Sequence, residues 1–139
     1  MNLASPHFSV AHWCVLVAAL LPFVCAVLAK REGLRKSLAR GGYDNADPRG
    51  WLARQQGFSA RANAAQANSF EALPFFIGAV VIANQLGAPQ AIVDILAVLF
   101  VTLRIIYIAM YVAGLPRTRS AIWVLGLIVN VAILFVGWR

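Results

Sequence analysis

The chain has 139 residues, of which 61% are apolar and only 12% are charged, and its twelve Lys and Arg against five Asp and Glu give a net charge of +7. A soluble domain is about 45–50% apolar and about 25% charged, and a small one has too high a surface-to-volume ratio to hide more apolar surface than that. The composition therefore excludes a soluble globular domain, excludes a disordered chain, and predicts that lipid surrounds most of the protein.

The first apolar segment, residues 8–29, contains no Lys, Arg, Asp or Glu. It is long enough to cross a hydrocarbon core, which takes about 20 residues. No basic residue precedes Lys30, and the apolar run is longer than that of a secretory signal peptide, so we interpret it as a retained span. Cys14 and Cys25 both lie in it, about 16 Å apart along a helix, which is too far for a disulfide.

Three further segments meet the same length criterion, at residues 58–86, 90–113 and 120–138. Pro89 and Pro116 fall between them, where a missing N–H does no harm. The sequence Leu86–Pro89 is a short turn, so the second and third spans are predicted to form an antiparallel hairpin. The predicted fold is an all-α integral membrane protein, one four-helix transmembrane bundle over residues 1–139.

Basic residues fall mainly in two connections, residues 30–57 and the segment with Arg117 and Arg119. Cytoplasmic loops of membrane proteins carry an excess of Lys and Arg. We therefore predict that both basic loops are cytoplasmic and both termini are outside. A basic loop between spans also explains the net charge without a nucleic-acid partner. The glycines of residues 41–50 follow no phosphate-binding pattern and indicate a loop, ordered or mobile.

Several polar side chains lie inside the predicted spans, where each ionisable group costs about 2.5–3.5 kcal/mol and is a candidate for function. Arg61, Asn68 and Glu71 lie within about 80° of one another around the second span and form one stripe. Arg104, Tyr107 and Tyr111 share a face of the third span. Because the two spans are hairpin neighbours, we expect Arg104 to lie near Glu71, with Asn68 between them.

The alternative is that these polar groups only fasten the helices together, as polar side chains do in membranes, with Arg61 reaching the headgroups. Asp94 is expected to reach water at the outer end of the third span, and Asn130 to make a packing hydrogen bond. His12 has no second ligand at useful spacing, so no metal is predicted.

The run from Arg61 to Phe75 resembles the second-helix signature of the membrane-associated proteins in eicosanoid and glutathione metabolism, the MAPEG family, roughly R-x-x-R-A-[HQ]-x-N-x-x-E-x-x-P. The matching positions are Arg61, Ala65, Gln66, Asn68, Glu71 and Pro74. The pattern Arg104-x-x-Tyr107-x-x-x-Tyr111, followed by Arg117 and Arg119, is similar to the family's third helix and its following arginine.

The resemblance implies a homotrimer in the membrane that binds glutathione as co-substrate, with a lipophilic small-molecule substrate arriving from the lipid. It implies a glutathione-binding set of Arg61, Asn68, Glu71, Arg104, Tyr107 and Tyr111. It also implies that Arg117 or Arg119 stabilises the thiolate, with Tyr107 or Tyr111 donating to the sulfur. Arginine holds carboxylates strongly, and a nearby cation favours a thiolate.

One position departs from the family pattern, because Ala64 stands where the signature has its second arginine. The sequence favours a membrane glutathione transferase or peroxidase-like enzyme. Two alternatives stay open: a non-catalytic lipophile-binding or scaffold protein, and a small proton-coupled exporter that would need an unpaired Glu71.

Overall fold

The computed structural model describes residues 8–138, and within this range the protein is helical, with no strand. The long helices are α1 (Val10–Lys30), α3 (Gly57–Gln85), α4 (Gln90–Ala113) and α5 (Pro116–Phe135), and the short helix α2 (Pro48–Ala53) lies before α3. All four long helices are long and apolar enough to cross a membrane. The predicted fold class, a four-span all-α membrane protein, is confirmed.

The helix ends differ from the predicted spans by up to four residues. The largest shift is at α5, which begins at Pro116 rather than at residue 120. Proline is favoured in the first turn of a helix because its missing N–H has no partner there and its φ is already helical. Arg117 and Arg119 therefore belong to the first turn of α5 and not to a free loop.

Small side chains hold α1 against α3. The buried positions of α1 follow a spacing of three and four residues: Ala11, Cys14, Ala18, Pro22, Cys25 and Ala29. They face Ala62, Ala65, Ala79 and Ala83 among the buried positions of α3. Small residues let membrane helices approach closely, since lipid gives no hydrophobic driving force between them. Cys14 and Cys25 are both free thiols in this packing.

The bundle has two distinct ends. At the hairpin end, residues 86–89 join α3 to α4, and Gly87 takes a positive φ of 66° that a side chain would resist. At the loop end, residues 31–56 join α1 to α3, and Gly114 and Leu115 join α4 to α5. Leu115 N–H donates to the Met110 carbonyl at 3.0 Å, which closes the last turn of α4.

Residues 31–56 are folded around one tryptophan rather than extended. Trp51, only 4% exposed, donates from its indole N–H to the Gly41 carbonyl at 3.3 Å. The ring of Tyr43 meets it edge-on at 5.3 Å. A Cβ at Gly33 would overlap the Trp51 ring, so this glycine is required by close packing. Of the two interpretations of the loop, the ordered one agrees with the structure.

Asp94 has a structural contact that the sequence did not predict. Its carboxylate accepts a hydrogen bond from the Ala11 backbone N–H at 2.9 Å and another from Gln90 at 2.8 Å. The first-turn amides of a helix have no partner within the helix. Asp94 supplies one from α4 and is half-exposed, so it makes this structural contact in addition to the exposure that was expected.

Candidate functional site

The guanidinium of Arg104 is buried between α3 and α4, with 5% of the residue exposed. It donates to the Asn68 amide oxygen at 2.9 Å and to the Ser69 hydroxyl at 3.3 Å. Its central carbon lies 4.3 Å from the centre of the Tyr107 ring, a cation–π contact. No carboxylate among residues 8–138 forms an ion pair with it. The buried positive charge of Arg104 is therefore stabilised by two neutral hydrogen-bond acceptors and by the face of one aromatic ring.

Glu71 forms no direct ion pair with Arg104. Asn68 lies between them as expected: it accepts from Arg104 and donates to the Glu71 carboxylate at 3.4 Å. Glu71 itself is exposed. Asn68 thus connects the two charged groups through hydrogen bonds and keeps them from pairing with each other. Each can therefore still bind a ligand group of the opposite charge.

A row of two aromatic rings between two cations runs from Arg104 toward the loop end. Tyr107 meets Tyr111 edge-on, with 5.6 Å between ring centres. The guanidinium of Arg119 lies 4.2 Å from the Tyr111 ring centre. Arg117 is exposed and has no such contact among the described residues. Of the two arginines that the sequence left open, the structure brings Arg119 to this row.

Arg61 is separate from the rest of its predicted stripe. Its Nε donates to the Val112 carbonyl at 2.9 Å, near the end of α4. Helix C-terminal carbonyls lack partners within the helix and carry partial negative charge. Arg61 therefore ties α3 to the end of α4 and does not line the cavity described next.

A cavity of about 210 Å³ lies between α3, α4 and α5. Its polar wall consists of Asn68, Glu71, Arg104 and Tyr107, from the predicted set, together with Asn130. Its apolar wall consists of Ala72, Phe75, Phe100, Leu103, Ile122, Trp123, Gly126 and Leu127. Apolar walls with a few convergent polar groups are typical of small-molecule sites. The cavity suits a lipophile placed beside an anion.

The sequence analysis missed Ser69 and the wall that α5 contributes to the site. Ser69 accepts from Arg104 and donates to the Ala65 carbonyl at 2.8 Å. No distinctive signal marked it, because serine is common in membrane helices. Trp123, Leu127 and Asn130 stand at i, i+4 and i+7 on one face of α5, a spacing that could have identified the fourth-helix wall.

Asn130 was expected to make a packing hydrogen bond, and this was wrong within the described part of the chain. Its amide oxygen is buried and has no hydrogen-bond partner there. The residue is 3% exposed and lines the cavity.

These features define a multi-pass helical membrane protein with a buried cationic site beside an apolar cavity. The model of the MAPEG family matches residues 10–138, nearly the whole chain. The protein belongs to the MAPEG family, and a general role in glutathione-related or eicosanoid metabolism in the membrane follows from that membership. Comparisons with curated proteins and with solved structures gave no match.

Proposed function

We propose that this protein is a membrane glutathione transferase or peroxidase-like enzyme that joins the glutathione thiolate to lipophilic electrophiles or reduces lipid hydroperoxides. The observation that carries the proposal is the buried Arg104, which has no carboxylate partner among residues 8–138 and faces an apolar cavity. A charge buried in this way is costly unless an anion compensates it. Glutathione supplies such an anion in its carboxylates and thiolate.

Glutathione carries groups whose charges are opposite to those of Arg104 and Glu71. Arg104 binds a glutathione carboxylate through charge-assisted hydrogen bonds. The exposed carboxylate of Glu71 binds the glutathione amino group, and Asn68 keeps the two protein charges apart. Tyr111 lies between this pair and Arg119 and contributes a phenol to the same binding surface.

Arg119 stabilises the thiolate, with Tyr107 donating a hydrogen bond to sulfur. A cation close to the thiol favours its ionised form, which is the nucleophile. In conjugation, a sulfur lone pair forms the C–S bond, and the displaced pair leaves with the leaving group or moves onto a carbonyl oxygen. In peroxide reduction, two glutathione molecules supply two electrons, and the products are an alcohol, water and glutathione disulfide.

The test is conjugation of glutathione to 1-chloro-2,4-dinitrobenzene by detergent-purified protein. We expect a rate above the non-enzymatic background, and Arg119→Ala to lower kcat/KM about tenfold or more. Arg49→Ala is the matched control, because it removes an exposed arginine of α2 that is distant from Arg119 in the sequence. Loss of activity in Arg117→Ala instead would reassign the thiolate role. A wild-type rate equal to the non-enzymatic background would refute the catalytic proposal.

The non-catalytic alternative has one observation in its favour, the alanine at position 64. Isothermal titration separates the two functions. A lipophile that binds while glutathione gives no heat would favour a binding protein over an enzyme.

We further propose that the enzyme is a homotrimer with both basic loops in the cytoplasm. The family supports the trimer, and the concentration of Lys and Arg in the two loop-end connections supports the orientation. Mass measurement of the detergent complex tests the first. Labelling of single cysteines introduced at Arg49 and Leu86, in a protein whose Cys14 and Cys25 are replaced by alanine, tests the second in intact cells, since only the Leu86 variant should react from outside.

A further inference from the structure

Asn130 is a buried polar group in the apolar middle of α5. Its amide oxygen has no partner among residues 8–138, and its neighbours Val129 and Ile133 are buried aliphatic side chains. A buried polar group without a hydrogen-bond partner destabilises the folded protein. Something other than the described chain is therefore expected to satisfy it.

The same residue forms part of the wall of the cavity that Arg104 lines. At 1.5 Å per residue, Arg104 lies about 14 Å from the loop end of α4, and Asn130 about 21 Å from the loop end of α5. Asn130 is thus about 7 Å nearer the hairpin end. Phe100 and Leu127 line the cavity between the two levels.

Water alone is a poor partner for this amide. A buried water needs about two to four polar partners. Most of the residues that line the cavity are apolar, and its polar residues Asn68, Glu71 and Arg104 already bond one another. A donor carried on an apolar ligand satisfies the amide oxygen and fills the space around it.

The Tyr107 ring, whose hydroxyl is proposed to bond the glutathione sulfur, lies 4.3 Å from the Arg104 guanidinium, so the sulfur and the atom that it attacks are placed at the level of Arg104. We propose that Asn130 selects the lipophilic substrate, by accepting a hydrogen bond from a hydroxyl or N–H group held on that substrate about 7 Å from its reacting atom. This inference rests on the proposed function and names its substrate class: an apolar electrophile with a remote hydrogen-bond donor. A site built to bond a hydroxyl discriminates strongly against the analogue that lacks it, because the buried polar group is then left unpaired.

Oct-2-enal and its 8-hydroxy derivative form a matched pair of probes. In both, the glutathione thiolate adds to C3, the π electrons move to the aldehyde oxygen, and C2 is then protonated. The hydroxyl is remote from the alkene, so the two aldehydes have the same intrinsic reactivity. Extended, the chain between C3 and the hydroxyl spans about the 7 Å that separates the two levels of the cavity.

We expect the wild-type protein to prefer the hydroxyl compound in kcat/KM by about tenfold, the loss of one hydrogen bond being about 1.4 kcal/mol. Asn130→Leu, which keeps the size of the side chain, should bring the ratio close to one, chiefly by slowing the hydroxyl compound. Asn84→Leu is the control. Asn84 also has a buried amide oxygen without a partner among the described residues, but it does not line the cavity.

A ratio that Asn130→Leu leaves unchanged would overturn the inference, as would a ratio that Asn84→Leu reduces equally. Thermal unfolding gives a second criterion. Replacing an unsatisfied amide by leucine should leave the melting temperature equal or higher. A marked fall would mean that the amide makes a structural contact, for example with a second copy, and would refute the substrate role.

Binding of unreactive octan-1-ol to protein in lipid nanodiscs separates this inference from the proposed reaction. Octan-1-ol partitions into the nanodisc lipid to the same extent with either protein, so the difference in binding between wild type and variant reports the protein site. Weaker binding to Asn130→Leu without any conjugation by the wild type would support the site and refute the reaction. Conjugation with equal octan-1-ol binding by both proteins would support the reaction and refute the site.

Discussion

Arg104 donates a 2.9 Å hydrogen bond to the amide oxygen of Asn68, and this contact turns the other end of the same amide toward Glu71. One neutral side chain thereby keeps a buried cation and an exposed carboxylate apart. If the two charges met directly, each would satisfy the other and neither would be free for a ligand. The separation is the feature that most favours a binding site over a helix fastener.

Replacement of Arg104 should affect activity more than assembly. We expect Arg104→Ala to lower kcat/KM for glutathione conjugation about tenfold or more, because it removes the buried cation of the site. Arg104→Lys should be intermediate, since an ammonium is a point charge without the planar fork that bonds two acceptors and lies on a ring. Steady-state kinetics on detergent-purified protein measures both. Full activity of Arg104→Ala would show that Arg104 serves only to hold α3 and α4 together.

Glu71→Gln tests the proposed contact with the glutathione amino group. We expect KM for glutathione to rise about tenfold, because a charge-assisted hydrogen bond is worth about 1.5–3 kcal/mol, while KM for the electrophile stays unchanged. Glu32→Gln, in the loop, is the matched control for loss of one exposed acid. Proton-driven drug uptake into vesicles that disappears in Glu71→Gln would instead support the exporter.

Restoring the family's second arginine should strengthen glutathione binding. Ala64 is half-buried and stands one helical turn before Asn68, on the same face of α3. We expect Ala64→Arg to lower the dissociation constant of glutathione several-fold, as an added Arg–carboxylate contact does. Isothermal titration measures it, with Ala64→Leu as the control for bulk. Equal affinity in all three proteins would show that the site uses other cations.

Gly126 sets the width of the cavity at α5. A Cβ at this position would lie 4.0 Å from the Phe100 ring, an ordinary contact, so Gly126→Ala should be tolerated and remove the cost of a glycine in a helix. Gly126→Leu should extend into the cavity and raise KM for lipophilic substrates about tenfold, with little change for glutathione. The KM values of the two substrates, measured separately, test this. Equal effects on both would place the lipophile elsewhere.

Asp94 should contribute to stability and not to catalysis. Its carboxylate caps the first turn of α1 from α4, and loss of a cap costs about 0.5–2 kcal/mol. We therefore expect Asp94→Ala to lower the melting temperature in detergent by a few degrees. Asp94→Asn, which keeps an acceptor oxygen, should lose less. A fall in kcat without a fall in melting temperature would contradict the assignment.

The sequence by itself determined the class of the protein and the positions of its helices. Four apolar runs of bilayer length leave only helices as spanning elements, because every backbone polar group must be satisfied inside the segment. The spacing of Asn68 and Glu71 on α3 and of Arg104 and Tyr107 on α4 also follows from helical periodicity, so their proximity across the hairpin was predictable. The signature around Arg61 predicted the family that the comparison with family models confirmed.

Only the tertiary structure decided which of these polar groups face one another. Periodicity gives the direction of a Cβ but not the path of a long flexible side chain, so Arg61 was assigned to the stripe and instead bonds the Val112 carbonyl. Arg119, and not Arg117, lies against the Tyr111 ring because α5 begins at Pro116. The amide oxygen of Asn130 lacks a partner among the described residues because of the way α5 packs on α3 and α4. These contacts join residues that are far apart in the chain. Periodicity shows which residues share a face of one helix, but it gives no distance between two helices.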